Sequence, residues 1–248
     1  MNVYDYPLYY EIAFSYEEVK RQADFFEEVA KQFGKVPVKR FLDIACGPSP
    51  QLRELARRGY EAVGLDISPR MLTHLKKRAQ EECVKVETVE ADMNNFKLKK
   101  QCDFAFILSG SLHVDSNQQF LQHLDCICNA LRNGGLYLFK NFSVSRNQSP
   151  KREWTTKQGE IEVTTKWEAT TKDELEQLEE EKLTLKVNDR GKRKTFTSTF
   201  HPKTFAPQEL KALIELNGKF EFIGWFEHLK LEPLKTTIGS NIIIIRKG

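Results

Sequence analysis

Phe41-Leu42-Asp43-Ile44-Ala45-Cys46-Gly47-Pro48-Ser49-Pro50-Gln51-Leu52 is the stretch that decides the fold. It reads as a buried strand, a sharp loop and the start of a helix. Phe41, Leu42 and Ile44 make the short apolar run of a central parallel strand. Pro50 suits a first helical turn, and Leu52, Leu55 and Ala56 give that helix an apolar face. The small residues between them let the backbone approach a ligand at a helix N-terminus. Residues 62–66, Ala-Val-Gly-Leu-Asp, form a second strand that ends in a carboxylate. Asp66 stands about where doubly wound nucleotide folds carry the acidic residue that takes a ribose, and a carboxylate accepts both vicinal hydroxyls at once.

A dinucleotide site needs three glycines, the third packing helix against strand. Those places hold Ala45, Gly47 and Pro50, a poor fit. The set Asp43, Ala45, Gly47 and Ser49 resembles motif I of the class I S-adenosylmethionine-dependent methyltransferases, with two of the three usual glycines replaced. Three later segments carry the same resemblance at the right distances. They are Asp66-Ile67-Ser68-Pro69-Arg70-Met71-Leu72, Ala91-Asp92-Met93, and Leu131-Arg132-Asn133-Gly134-Gly135-Leu136-Tyr137-Leu138.

The resemblance implies S-adenosyl-L-methionine as cofactor and S-adenosyl-L-homocysteine as product. By the same resemblance Asp66 holds the ribose, and Ile67 packs on adenine. Asp92 accepts from the exocyclic amine, and the Met93 backbone meets a ring nitrogen. The backbone of residues 45–47 takes the methionine part, and Asp43 reaches its amino group directly or through water. Tyr10-Glu11 stands where Tyr-Asp is common, which implies an approach of Tyr10 to the methionine carboxylate. Leu108 lies at the end of the fourth strand, and from there to His113 is where methyl donor and acceptor should meet. His113 is the candidate catalytic residue: an imidazole there can take a proton from the acceptor near neutral pH. The alternative is a structural histidine, since displacement at an activated methyl depends mainly on positioning.

Around these motifs the chain alternates strands and helices. Residues 17–33 and 117–131 have helical apolar spacing, and residues 84–89, 103–109 and 136–141 read as strands. Residues 1–16 hold Tyr4, Tyr6, Tyr9, Tyr10, Phe14 and Tyr16, either a flap over the sheet edge or a plug on the helix layer. After residue 142 the alternation stops. Three strands are expected, around Ile161–Val163–Thr165–Trp167, Leu183–Leu185–Val187 and Phe196–Ser198–Phe200, with a turn at residues 188–191. The acidic stretch 172–181 reads as helix or loop. Trp154, Trp167, Phe196, Phe200 and His201 are candidate pocket residues or plain lid core. Residues 204–216 resume the main domain, with a last helix starting at residues 207–210, and 220–226 and 241–246 give two last strands.

The expected fold is therefore α/β: a Rossmann-like, doubly wound, mostly parallel seven-stranded sheet with an antiparallel β-lid insertion. Residues 1–144 and 204–248 form the cofactor domain, 1–33 being an aromatic flap and helix, and residues 145–203 form the lid over the acceptor pocket. A net charge of +3 with interleaved signs argues against a nucleic-acid surface. The five cysteines form no CxxC pair, and no metal constellation is present in the sequence. Residues 242–245, the most apolar run, are too short to span a bilayer, and no signal-peptide pattern opens the chain, so a cytoplasmic enzyme is expected. The expected reaction is methyl transfer to N or O of a small molecule. The rivals are a cofactor-binding module without methyl transfer and a nicotinamide dehydrogenase.

Overall fold

The computed structural model describes residues 2–108, 110–140, 151–236 and 241–248. Ser109, Asn141 and the expected first residues of the lid, 145–150, lie outside them. The quoted stretch supplies β1 (Arg40–Ile44), buried at every position. It is buried because parallel strands flank it on both sides: β2 (Glu61–Asp66) and β4 (Cys102–Ile107). With β3 (Glu87–Glu90), β5 (Leu131–Lys140), β10 (Phe220–Glu227) and β11 (Asn241–Lys247) the sheet order is β3-β2-β1-β4-β5-β11-β10. The first five strands run parallel, and β11 lies antiparallel between β5 and β10. The sheet reverses its direction of growth between β1 and β4, which opens a crevice at their C-terminal ends.

Successive residues of a strand face opposite layers. Phe41 packs with Phe26, Leu52 and Leu75 under helices α2 (Val19–Phe33), α3 (Pro50–Arg57) and α4 (Pro69–Glu81). Leu42 and Ile44 pack with Phe120, Leu124, Leu210 and Ile214 under α5 (Asn117–Ala130) and α6 (Pro207–Asn217). The isoleucine run divides likewise, Ile242 and Ile244 to one layer and Ile243 and Ile245 to the other. Gly64 is needed for this packing: a Cβ there would lie 2.8 Å from Cys46 Sγ and 2.9 Å from Leu75 Cδ2. Pro50 and Pro69 open α3 and α4, and the hydroxyls of Ser49 and Ser68 cap them.

Element ends shift by a few residues from expectation. β3 begins at Glu87, where pairing with Val63 starts, rather than at residue 84. β5 begins at Leu131, through the expected Gly-Gly turn, with a register shift opposite residues 102–104.

The insertion is a separate four-stranded antiparallel sheet: β6 (Lys151–Gln158), β7 (Ile161–Asp173), β8 (Leu178–Asp189) and β9 (Lys192–Phe200). β6 is the strand that periodicity did not reveal. The stretch 172–181 is neither helix nor loop throughout: β7 runs into it, β8 leaves it, and a tight turn joins them. Asp173 Oδ1 makes that turn by accepting from the N–H groups of Leu175 and Glu176, both at 2.9 Å. The hairpin between β8 and β9 turns on Arg190 and Gly191, both with positive φ.

One face of this sheet is apolar, and the opening residues cover it. They form a 3-10 turn (Val3–Asp5) and α1 (Pro7–Ala13). Val3, Ile12 and Ala13 share a core with Val163, Leu183, Leu185, Val187 and Phe196. The Val3 N–H donates to Ser198 Oγ at 3.0 Å, Tyr9 donates to Asp189 at 2.8 Å, and the Trp154 indole donates to the Ala13 carbonyl at 2.7 Å. On its other side α1 sends Glu11 to α3 and α4 of the main sheet's helix layer, where it pairs with Arg53, with His74 at 2.7 Å and with Arg78 at 3.3 Å. Against the opposing effect of burial, the His74 hydrogen bond and the Arg53 and Arg78 charges hold the Glu11 carboxyl down at about 2. Residues 3–13 are therefore a wedge fixed on both sides.

Candidate functional site

The crevice at the ends of β1 and β2 is built by the first loop. Ala45, Gly47 and Ser49 all have positive φ, at 52°, 53° and 30°. These are the three places where the resembling motif carries glycine, and the structure shows why: the loop alternates through left-handed backbone. Ala45 and Ser49 adopt it at a cost of about 1 kcal/mol each. Ser49 offsets its share through hydrogen bonds. Its hydroxyl donates to Asp43 Oδ2 at 2.6 Å and accepts from the Leu52 N–H at 3.2 Å. A Cβ on Gly47 would meet only the Tyr10 ring, at 3.9 Å, so this side of the loop is open toward α1.

Two carboxylates meet here. Asp66 Oδ2 accepts from the Gly47 N–H at 2.7 Å, and its Oδ1 accepts from the Ser68 N–H at 2.8 Å. It thereby ties the first loop to the second. Burial raises its carboxyl above the usual range, and the N–H groups of Ser68, Gly47 and Ile67 oppose that rise. Asp43 is more deeply buried. Burial pushes its carboxyl up to about 8, opposed by the Ser49 hydroxyl and helped by the nearby Asp66 charge. Ile67, next to Asp66, is 69% exposed, a large apolar side chain left on the rim of the crevice.

The third loop is tied in as well. The Ala91 N–H donates to the Asp66 carbonyl at 3.2 Å. Asp92 closes its own turn, accepting from the Asn94 N–H at 2.8 Å through Oδ1. Met93 is held from below by His123, whose Nδ1 donates to the Met93 carbonyl at 3.0 Å. That fixes the tautomer: Nε2 accepts from the Tyr137 hydroxyl at 2.8 Å. Burial lowers the His123 imidazole to about 4, so the ring is neutral at pH 7. Sequence reasoning passed over His123, whose only signal was a polar residue on the apolar stripe of α5.

Leu108 follows β4 and packs at the edge of the α2–α4 core. His113 lies further along that loop, its ring on Phe200 of the lid with centroids 4.7 Å apart. Burial lowers its imidazole, so it too is neutral at pH 7. Phe200 is also 5.6 Å from Tyr4, and Tyr4 is 5.5 Å from Tyr10. Burial, then the Asp66 charge, raises the Tyr10 phenol well above its ordinary value. A row of rings thus runs from the Gly47 loop to His113, with Tyr10 and Tyr4 from the wedge followed by Phe200 from the inserted sheet.

The predicted residues fall into one region, with two departures among the lid candidates. Phe196 is fully buried against Tyr6, 3.9 Å between ring centroids, and is lid core. His201 is exposed and pairs with Glu180 at 3.3 Å. Among the described residues no group of three His, Cys, Asp or Glu is placed to hold a metal, and no helix is long and apolar enough to cross a membrane.

Residues 41–135 match the family described as a methyltransferase domain. Over those residues the chain is similar to that family, and its fold is that of class I methyltransferases. That fold is shared over nearly the whole chain with a solved S-adenosylmethionine-dependent methyltransferase from Clostridium acetobutylicum ATCC 824. That structure superposes with a TM-score of 0.81 at 15% identity, covering 97% of this chain and 96% of that one. An amino pentose methyltransferase from Micromonospora echinaspora, solved with S-adenosylmethionine bound, gives 0.70 at 16% identity over 93% and 90%. A sugar N-methyltransferase from Streptoalloteichus sp. ATCC 53650 gives 0.72 at 16% identity over 94% and 89%. In sequence, the chain is 27% identical over 138 residues to a protein of Geobacillus sp. (strain WCH70) whose name gives methyltransferase as a provisional assignment. That match covers 53% of this chain and 56% of the relative, so this chain spans about half the length of the curated relative it matches.

Proposed function

We propose that the protein is a cytoplasmic enzyme that moves a methyl group from S-adenosylmethionine to nitrogen or oxygen of a small-molecule acceptor by direct displacement. The observation that carries this reading is the Asp66 carboxylate, held by the Gly47 and Ser68 N–H groups at the mouth of a left-handed loop. A carboxylate so fixed meets a ribose diol with no further rearrangement.

The remaining residues fit the same cofactor. The exposed Ile67 gives adenine an apolar face to rest on. Asp92 keeps Oδ2 for the adenine amine while Oδ1 closes the turn, and His123 holds the Met93 backbone in place. Asp43, beside residues 45–47, takes the amino group of the methionine part, Tyr10 lies toward its carboxylate, and Leu108 bounds the methyl end. Bound there, S-adenosylmethionine supplies a methyl carbon on a sulfonium, open to displacement by a lone pair. His113, neutral and next to Phe200, accepts the acceptor's proton. The lid and the wedge close the acceptor side and exclude water. Small-molecule acceptors in the names of two neighbours in fold support that part of the reading.

The test is calorimetric titration with S-adenosylmethionine, S-adenosylhomocysteine and NAD, followed by a labelled-methyl acceptor screen. Micromolar binding of the first two is expected, with NAD weaker. Tighter NAD binding would end the reading, and methylation of only tRNA or protein would end the small-molecule part. His113→Ala is expected to lower turnover and flatten its pH profile; an unchanged profile removes the proton-accepting role.

A further inference from the structure

Glu181 interrupts an apolar face. Along the inner side of β8 come Val187, Leu185 and Leu183, all buried, and the next position of the same alternation is Glu181. Its ladder partners are Ala169 on β7 and Phe200 on β9, and directly opposed residues share a face of the sheet. Trp167, one pair along, donates its indole N–H to Glu181 Oε2 at 3.1 Å and so orients the carboxylate. Phe200 is the ring stacked on His113 and close to Tyr4. Tyr4 lies within the electrostatic reach of both Asp66 and Glu181. Glu181 therefore lies at the seam of wedge and inserted sheet beside the rings that lead to His113.

Among the described residues no lysine, arginine or histidine pairs with Glu181, and the charged neighbour acting on it is a second carboxylate, Glu179. Burial, with a smaller contribution from Glu179, raises its carboxyl to about 7, against the Trp167 hydrogen bond. A carboxylate drawn in among aromatic rings without a counter-ion is costly, and a cation relieves that cost. Aromatic faces are themselves good partners for an ammonium group.

We propose that Glu181 recognises the acceptor, and that the acceptor is a primary or secondary amine. Its ammonium pairs with the Glu181 carboxylate and rests among the rings of Tyr4, Trp167 and Phe200, within reach of the neutral His113 that takes its proton. The proposal rests on the methyl-transfer reading above and narrows its acceptor from nitrogen or oxygen to nitrogen.

The test uses the full chain saturated with S-adenosylhomocysteine at pH 8. It is titrated with benzylamine against benzyl alcohol, and with cyclohexylamine against cyclohexanol. Each amine is expected to bind about tenfold or more tightly than its alcohol, as one charge-assisted pair provides. Glu181→Gln keeps an acceptor for Trp167; it should abolish that preference and leave S-adenosylhomocysteine affinity unchanged. Equal affinities, absence of amine binding, or a preference that survives Glu181→Gln would overturn the proposal while leaving methyl transfer standing. Failure of S-adenosylhomocysteine itself to bind would remove the methyl-transfer reading and this one with it.

Discussion

β1 is buried at all of its positions, whereas β6 is exposed at most of its own. The parallel sheet buries both faces under the helices α2–α6 that alternate with its strands along the chain. The inserted sheet buries one face and borrows its cover from residues 3–14. On the function proposed above, the cofactor crevice belongs to the first region and the acceptor side to the seam between the two. Binding of the cofactor and choice of acceptor therefore rest on different kinds of packing: one local and repeated along the sequence, the other assembled from distant segments.

The harshest test of this contrast is Leu185→Ala. Leu185 is fully buried in the seam, and its truncation should cost about 2–5 kcal/mol in denaturant unfolding. Hydrogen exchange should show residues 3–14 and 196–200 losing protection together while β1 keeps its own. Equal loss in β1 would merge the two regions into one. Asp66→Ala acts on the other side of the contrast. It should weaken S-adenosylhomocysteine binding by about 2–4 kcal/mol in calorimetry, while seam protection stays as it was. Unchanged affinity would contradict the ribose role.

Glu11→Gln cuts the wedge from α3 and α4 and should cost about 1–3 kcal/mol. The effect depends on pH. The Glu11 carboxyl lies at about 2 in the fold against an ordinary 4.5, so its stabilisation is complete above the ordinary value and fades as pH falls toward 2. Melting curves of the two proteins should converge in acid; a constant gap would mean that charge is not the cause. The smallest effect is a gain. Ala45→Gly relieves positive φ, less the extra freedom of glycine when unfolded, and should raise stability by at most about 0.5 kcal/mol with cofactor affinity intact. A lower melting temperature would refute the strain at that position.

The same contrast governs what could be read from the sequence. Strand, loop and helix around Asp43 and Gly47 follow from short-range pattern, and so do Asp66, the Ser68 cap and the late isoleucine strand, because one apolar period decides each. The lid was half legible. Leu183 and Leu185 alternate, but Glu179 and Glu181 continue the inner face with charge, so the pattern ends before the strand does. β6 alternates weakly because its outer side is solvated and its inner side carries Arg152, Trp154 and Thr156. His123 holding Met93, and Glu11 bridging to Arg53 and His74, join residues 30 and 63 or fewer positions apart through side chains, and no local period records such pairings.

The hydrogen bond from Val3 to Ser198 spans 195 positions. During synthesis residues 3–14 leave the ribosome long before the sheet that receives them. They must wait, tyrosines uncovered, until β9 has emerged, while the parallel strands around β1 can already pair. Closing so long a loop costs little more entropy than closing a shorter one, but it delays the step. The crevice for the cofactor can therefore exist on a nascent chain well before there is any enclosed place for an acceptor. Maturation of this protein should proceed in that order, with its aromatic opening segment the stretch most in need of a chaperone.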